Sequence, residues 1–406
     1  MKILVIANTI RSYDLHDSKN ITGLKKILGD IYYNPKLTAE KYFWISSFVK
    51  GNFKNNELRI LRNSKLRLLS TINLKLIKRI VSSLGNNRGR LKELKNDFLD
   101  ELQYNFITKY VDNLKPNIVH IHDITRLHNK VIRYLIQKEI KCFLTLHIYI
   151  GKSSMLREYN DLMLNQKDLF STPNINRLTI TCVSSKQAKR LLNDYGHLNP
   201  ENIHTILNGT DFKVSNRNYS FDIRNKFKID KNRKILLSIG TVCDRKNQLQ
   251  ILQSLSIMNK NDLDKIFVLF VGDAQPSELK KVTDFCHSNN LTNSVKYIGA
   301  LSTDKIKSYY AQSDFIISTS KNEAFGLTFI EGFVFGLPSI TFSDLDAIED
   351  LYNPNAMEIT DDRSNEGLKN VILSAINKKW DAAFIKQYSL KFGAEQMIKN
   401  YNELYQ

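Results

Sequence analysis

The sequence has few cysteines and no long apolar run. Its 4 cysteines, Cys142, Cys182, Cys243 and Cys286, lie far apart and show neither disulfide nor metal-site spacing. We expect them to be small buried residues in a reducing compartment. No run of about 18 apolar residues is present, and the apolar start of the chain is too short for the core of a signal peptide. The composition therefore predicts a cytoplasmic protein that does not cross a membrane.

Acidic residues are scarce relative to basic ones. The chain has 59 lysines and arginines against 41 acidic residues, a net charge of +18, which favours an anionic partner or surface. The basic residues concentrate between positions 54 and 95, where apolar residues recur at helical spacing: Leu69, Ile72, Leu76, Ile80 and Leu84. A basic amphipathic helix is typical of contact with an anionic membrane surface, although a core-facing helix with a solvated basic back has the same pattern. The segment has no aromatic residue on which a base could stack, so we expect no nucleic-acid partner.

Apolar runs of strand length alternate with longer helical patterns along the chain. They occupy positions 3–7, 118–121, 142–146 and 178–183, and, after the turn signal Asn208-Gly209, positions 235–239, 267–271, 295–298, 315–317 and 339–342. This alternation predicts parallel sheets built from βαβ units. A chain of 406 residues suits more than one domain. We therefore predict two doubly wound α/β domains, 1–212 and 213–388, followed by a C-terminal helix within 389–406. Ligands of such sheets bind at the carboxyl ends of the strands.

Two glutamates eight residues apart, Glu323 and Glu331, mark the most informative segment. The apolar run before them and Gly336-Leu-Pro338 after them predict a strand, a loop and a short helix. Backbone N–H groups at a helix start favour phosphate, and carboxylates accept hydrogen bonds from hydroxyls. The segment therefore suits a nucleotide sugar. Two structural alternatives stay open: Thr328 and Glu331 also fit a capping box, and Glu323 fits an ordinary loop acid.

The segment resembles the Glu-x7-Glu signature of retaining GT-B glycosyltransferases, family 4 (glycosyl transferases group 1) in particular. The loop after the run 235–239 supports the resemblance, because Gly240 lets the backbone approach a ligand and Lys246 supplies a point charge for a diphosphate. The family places an arginine just after this glycine. Here the position holds Thr241, and Arg245 is the candidate replacement.

A third match is Thr145-x-His147 at the end of a predicted strand. In the family this imidazole lies beside the transferred sugar, although a lone histidine at a strand end is more often structural. His120 and His122 end the preceding strand; one of them can belong to the core, and Asp123 can cap the next helix.

The N-terminal loop matches the family least, since Gly23 is its only candidate for the usual glycine pair. The segment after Phe342 also departs from the family, with Asp344-Leu-Asp346 in place of a Gly-Gly turn. This string has the letters of a metal motif found in another glycosyltransferase fold. Because Asp262-Leu-Asp264 has the same letters in a predicted loop, we assign no metal.

The resemblance implies a GT-B fold, with two Rossmann-like domains facing a cleft and the C-terminal helix packed back on the first, acceptor-binding domain. It implies a retaining, metal-independent hexosyl- or N-acetylhexosaminyltransferase that needs no cofactor and uses a nucleotide sugar, by default a UDP-sugar. Glu331 would hold the ribose hydroxyls, and His147 and Glu323 would be the catalytic residues. The donor-binding residues implied are Gly23, Gly240, Thr241, Arg245, Lys246, Phe325, Gly326, Leu327, Thr328 and Glu331.

The expected acceptor is a glycan, a lipid-linked sugar or a protein, in polysaccharide or glycolipid synthesis at the inner face of the cell membrane. Two other functions remain open. A non-catalytic GT-B binding subunit is compatible with Thr241 and the missing glycine pair. A GT-B nucleotide-sugar epimerase or hydrolase would need an acid–base set beyond His147, and the first domain shows none.

Overall fold

The computed structural model of the protein describes residues 1–7, 28, 36, 39–45, 54–55, 58–61, 91–150, 160–212 and 222–406. Two features predicted above, Gly23 and the basic amphipathic segment 69–84, lie outside these residues. The chain forms two compact units. The first, which we call the N unit, contains the first strand, Ile31–Ile206 and Ile398–Gln406; the second, the C unit, contains Leu207–Met397.

A sheet of eight strands forms the centre of the N unit. Its strands are Lys2–Ala7 (β1), Glu40–Ile45 (β2), Lys54–Asn55 (β3), Leu58–Leu61 (β4), Ile118–His122 (β5), Cys142–Leu146 (β6), Leu178–Cys182 (β7) and Ile203–Thr205 (β8). They lie in the order β3-β4-β2-β1-β5-β6-β7-β8. The pair β3 and β4 is antiparallel, and the other neighbours are parallel.

The C unit is built on six parallel strands. They are Lys234–Ile239 (β9), Ile266–Val271 (β10), Val295–Gly299 (β11), Phe315–Ile317 (β12), Ser339–Phe342 (β13) and Met357–Thr360 (β14), in the order β11-β10-β9-β12-β13-β14. Every apolar run predicted as a strand is one, within one residue at either end. Such runs can be recognised in the sequence because strands covered by helices on both faces are apolar throughout. Strand β10, for example, is buried along its whole length.

Helices connect the strands of both units. In the N unit they are Leu91–Leu114 (α1), Arg126–Gln137 (α2), Asn160–Phe170 (α3) and Ser185–Asp194 (α4). In the C unit they are Ile223–Phe227 (α5), Gln248–Ser256 (α6), Lys260–Leu263 (α7), Pro276–Ser288 (α8), Thr303–Ala311 (α9), Leu327–Val334 (α10), Ile348–Leu351 (α11), Asn365–Asn377 (α12) and Ala382–Ser389 (α13). Within the described ranges, no helix combines the length and apolar character needed to cross a membrane.

The last helix, Ala394–Tyr405 (α14), begins in the C unit and ends in the N unit. Its Tyr401 and Tyr405 are buried in the N unit. The hydroxyl of Tyr405 lies 2.5 Å from Nδ1 of His120, and that of Tyr401 lies 3.1 Å from Oγ1 of Thr145. The end of this helix therefore completes the interior of the N unit.

The strand order of the C unit fixes the place where its loops can meet. Chain connections leave β9 toward β10 on one side, whereas β12 lies on the other side of β9. Loops at such a reversal diverge and leave a crevice at the carboxyl ends of the strands. The loop that starts at Gly240 and the segment that precedes α10 occupy this position. The predicted donor-binding residues of the C unit lie on these two stretches and on α10.

Candidate functional site

An ion pair joins the two loops at the carboxyl ends of β9 and β12. The ammonium Nζ of Lys246 lies 2.5 Å from Oε2 of Glu323, and Arg245 NH1 lies 3.7 Å from the same oxygen. The Lys246 and Glu323 side chains are 14% and 19% exposed. Because both are largely withdrawn from water, the pair is screened less than a surface ion pair. The structure thus brings together the predicted phosphate ligand and the predicted sugar ligand.

The charge of Glu323 is stabilised by its surroundings. Burial alone raises the pKa of its carboxyl group. The charges of Lys246 and Arg245 and the backbone N–H of Gly326 outweigh that effect, and they hold the pKa of Glu323 below its ordinary value. The carboxylate is therefore ionised at neutral pH and accepts hydrogen bonds only.

The absence of a side chain on Gly240 leaves room for the Lys246 side chain. Gly240 has a φ of +140°, and a Cβ on it would lie 3.3 Å from Cε of Lys246. The lysine stem therefore passes directly over the glycine. The hydroxyl of Thr319 fixes the far end of this loop by donating to the carbonyl oxygens of Lys246, at 3.3 Å, and Asn247, at 2.8 Å. Arg245 donates from NH1 to the carbonyl of Asn322 at 3.2 Å, which ties the two loops together again.

The start of α10 differs from the capping box that the sequence allowed. Its N-cap is Gly326, with a φ of +77° and no side-chain cap, and Thr328 lies inside the first turn. The capping-box alternative is therefore wrong. A Cβ at Gly326 would lie 2.5 Å from Cδ2 of Phe329, so only glycine fits here. The first backbone N–H groups of the helix, from Leu327 and Thr328, have no intrahelical acceptor and suit an anion.

Glu331 contacts a tyrosine that the sequence gave no reason to select. The hydroxyl of Tyr310, in the last turn of α9, donates to Oε2 of Glu331 at 2.6 Å. Burial, followed by the charge of Glu331, raises the pKa of Tyr310 well above its ordinary value. The hydroxyl therefore keeps its proton and remains a donor.

The remaining predicted donor-site residues have different surroundings. Thr241 is exposed, and its carbonyl accepts a hydrogen bond from Nε2 of Gln248 at 3.1 Å. The ring of Phe325 is buried and packs edge-on against Phe392 at 6.4 Å. Phe325 is therefore a core residue, so a ligand could meet only its backbone. Leu327 and Thr328 are half-buried.

In each of the two Asp-x-Asp strings, the first aspartate pairs with a basic side chain. Asp344 forms a two-oxygen contact with Arg363, at 2.6 and 2.7 Å. Arg363 also donates to the carbonyl of Ser320 at 3.3 Å and lies 4.4 Å from the ring centre of Phe342, so it links the ends of β12, β13 and β14. Asp262 is paired with Lys265 at 2.8 Å. No cluster of three His, Cys, Asp or Glu side chains suited to a metal occurs among the described residues.

In the N unit, three imidazoles stack at the ends of β5 and β6. The ring centres of His120 and His122 are 4.2 Å apart, and those of His122 and His147 are 5.2 Å apart. Nε2 of His147 lies 3.0 Å from Nδ1 of His122, whereas Nδ1 of His147 is buried without a hydrogen-bond partner. Burial lowers the pKa of His147. The neutral ring therefore has one ring nitrogen unsatisfied, which a hydroxyl could satisfy.

His120 and His122 are both fully buried, so both belong to the interior. The suggestion that Asp123 caps the next helix is wrong. Thr125 caps α2 by accepting from the N–H of His128 at 3.1 Å, while Asp123, with a φ of +64°, accepts from the N–H of His147 at 3.2 Å. Asp123 therefore orients the His147 segment.

Residues 220–397, which include every described donor-site residue named above, match the model of the family glycosyl transferases group 1. Over this segment the chain is therefore similar to that family. The two-unit architecture of parallel sheets is the GT-B fold. Within this segment, Lys246 and Glu323 lie on the loops after β9 and β12, and Glu331 lies on α10.

Relatives of the chain support the same grouping. It is 29% identical over 119 residues to an alpha-monoglucosyldiacylglycerol synthase from Streptococcus pneumoniae, a match covering 29% of this chain and 26% of that protein. It is 26% identical over 237 residues to the capsular polysaccharide biosynthesis glycosyltransferase CapH from Staphylococcus aureus, covering 58% and 62%. The chain thus spans less than two thirds of either relative. The crystal structure of HepE from Anabaena in complex with UDP superposes with a TM-score of 0.68 at 17% identity, covering 100% of this chain and 99% of that one.

Proposed function

We propose that the protein is a retaining glycosyltransferase that moves a sugar from a nucleotide diphosphate sugar, by default a UDP-sugar, to an acceptor hydroxyl. The observation that carries the proposal is the Lys246–Glu323 ion pair at the topological reversal of a group 1 segment. A diphosphate is a stronger partner for Lys246 than a single carboxylate. Its binding would release Glu323 to accept hydrogen bonds from sugar hydroxyls.

Each remaining group has a place in that reaction. The N–H groups at the start of α10 and the ammonium of Lys246 would stabilise the leaving diphosphate, and such fixed donors are the largest contribution in many enzymes. Glu331 would hold the ribose hydroxyls. In the step itself the bond from the anomeric carbon to the phosphate oxygen breaks, and the acceptor oxygen bonds to the same face of that carbon. The acceptor proton passes to the departing phosphate oxygen.

The relatives and the charge of the chain support a proposal for the substrate class. One relative is named a synthase of a glucosyl lipid, and another a capsular polysaccharide glycosyltransferase. The HepE structure contains UDP. A net charge of +18 suits an anionic membrane surface. We therefore propose a hexosyl or N-acetylhexosaminyl donor and a lipid-linked or polysaccharide acceptor at the inner face of the membrane, without a metal or cofactor.

The test is donor-dependent turnover across UDP-glucose, UDP-galactose, UDP-N-acetylglucosamine, GDP-mannose and ADP-glucose, with and without a metal chelator. We expect one donor to be turned over selectively with the chelator present. Lys246→Met should lower that turnover by about 100-fold or more. Lys321→Met, which removes an exposed lysine paired with Asp244 at 2.7 Å, is the matched control and should leave it unchanged.

The same turnover experiment distinguishes a glycosyltransferase from a binding subunit and from an epimerase. Exposed Thr241, where the family has an arginine, favours a non-catalytic binding subunit as the second candidate. Selective binding of one donor without hydrolysis or transfer would indicate that function. Interconversion of a nucleotide sugar without an acceptor would indicate an epimerase, and a folded protein that binds no donor would overturn the proposal.

A further inference from the structure

The contact between Tyr310 and Glu331 is built into the packing of the C unit. Tyr310 is 0% exposed, and its ring stacks on Phe335 with centres 5.5 Å apart and planes 13° apart. Phe212 packs on the same ring edge-on at 5.4 Å. Aromatic contacts of this kind hold a ring in one place. The Tyr310 hydroxyl is therefore a fixed point and cannot swing away like a surface side chain.

A single helix, α10, supplies two of the contacts of Tyr310. Glu331 lies within α10, and Phe335 is its C-cap residue, one turn later. Tyr310 thus touches α10 through its ring at Phe335 and through its hydroxyl at Glu331, at 2.6 Å. A half-exposed glutamate on a helix otherwise samples several rotamers. One fixed donor on Oε2 restricts the plane and direction of the carboxylate.

A carboxylate held in one plane is suited to a particular ligand group. Two hydroxyls on adjacent carbons, as in the ribose of a nucleotide, can both donate to its oxygens, and hydrogen bonds to an ionised acceptor are stronger than neutral ones. We propose that Tyr310 is a positioning residue that aims the Glu331 carboxylate, and thereby sets the preference of the site for ribonucleotides over nucleotides without ribose hydroxyls. This inference rests on the proposed function, because it takes Glu331 as the ribose ligand.

The adjacent tyrosine provides a matched control. Tyr309 is on the same helix and is 1% exposed, and its backbone carbonyl accepts a hydrogen bond from the Ser313 hydroxyl at 2.7 Å. Tyr309→Phe and Tyr310→Phe each delete one buried hydroxyl from α9 and keep the ring. A difference between the two variants therefore reports the contact with Glu331.

The experiment measures dissociation constants of UDP, GDP, ADP and CDP and of their 2′,3′-dideoxy counterparts. For the nucleotide that binds, the wild type should prefer the ribose form by about tenfold or more, and Tyr310→Phe by about threefold or less. Tyr309→Phe should keep the wild-type ratio. A general loss of packing would weaken both forms of the nucleotide equally and leave the ratio unchanged.

The contrary outcomes separate this inference from the proposed function. An unchanged ratio in Tyr310→Phe, or an equal loss in Tyr309→Phe, overturns the role of Tyr310 and leaves the transferase proposal intact. A wild type that binds none of the nucleotides overturns both. If Tyr310→Phe does not fold, Phe335→Leu replaces it, because it removes the stacked ring and keeps the hydroxyl. A lowered ratio in that variant supports the inference, and an unchanged one contradicts it.

Discussion

Lys246 and Glu323 are each other's counter-ion, with Nζ of the lysine 2.5 Å from Oε2 of the glutamate. The sequence suggested separate tasks for them, one with phosphate and one with sugar hydroxyls. In the structure they neutralise each other across the crevice at the ends of β9 and β12. An anionic ligand of Lys246 would compete with Glu323 for the ammonium, and the effects of this pair can be measured.

Glu323→Gln should separate donor binding from transfer. The amide keeps the shape of the side chain but removes its charge, so Lys246 is left entirely to the diphosphate. We expect nucleoside diphosphate affinity to stay equal or to increase, while transfer falls by about 100- to 1,000-fold. Steady-state kinetics and binding measurements on the same preparation check both effects. The control is Glu358→Gln, since Glu358 is similarly buried and pairs with Lys378 at 2.9 Å. Transfer equal to that of the control would exclude a catalytic role for Glu323.

The ion pair should also make stability depend on pH at the acid end. Because the pKa of Glu323 is lower in the folded protein than in the unfolded chain, its stabilisation is complete above the ordinary glutamate pKa of about 4.3. It is lost as the pH falls through the lower folded value. The Tm difference between the wild type and Glu323→Gln should therefore shrink between pH values of about 5 and 3. A constant difference over that range would show that the pair does not stabilise the fold.

Two glycines with similar φ angles allow the strain of a positive φ to be separated from steric overlap. Gly326 has a φ of +77° and a Cβ there would lie 2.5 Å from the Phe329 ring, whereas Gly299 has a φ of +84° and open space around it. Gly299→Ala should show only the strain of the backbone conformation, about 1 kcal/mol. Gly326→Ala should lower the free energy of unfolding by about 1–3 kcal/mol more. Urea unfolding of both variants measures this; equal losses would contradict the steric contact.

The buried histidines should weaken the fold below neutral pH. Burial, aided by nearby His147, lowers the pKa of His120 to about 3, while the unfolded chain titrates near 6.5. Below about pH 6.5 the unfolded state binds a proton at this histidine that the folded state does not bind. The free energy of unfolding is therefore highest above about pH 6.5 and falls as the pH drops toward 3. Between pH 7.5 and 5 the wild type should lose about 2 kcal/mol more than His120→Gln. Exposed His287 is the control position for the same substitution. Parallel pH dependences in the wild type and His120→Gln would contradict the prediction.

The sequence predicted the features that depend on residues close together along the chain. Strands such as β10 are apolar throughout and stand out, whereas the edge strands β8 and β14 are half-exposed and were not predicted. Glu323 and Glu331 were selected by their spacing, and Lys246 by its place in the loop after Gly240. Tyr310 and Arg363 were not, because their partners depend on which strands are neighbours in the sheet. The capping box failed at Thr328 because the absence of a Cβ on Gly326 allowed the helix to begin earlier.

The burial of Tyr405 against His120 has a consequence for the order of events at the ribosome. The two residues are 285 positions apart, and residues 207–397 of the C unit are translated between them. At a translation rate of about 5–20 residues per second, Tyr405 is synthesised roughly 15–60 s after His120. During that interval the nascent N unit lacks the end of α14, which covers His120 in the complete protein, while the C unit is being synthesised. The unit that is begun first is therefore completed last.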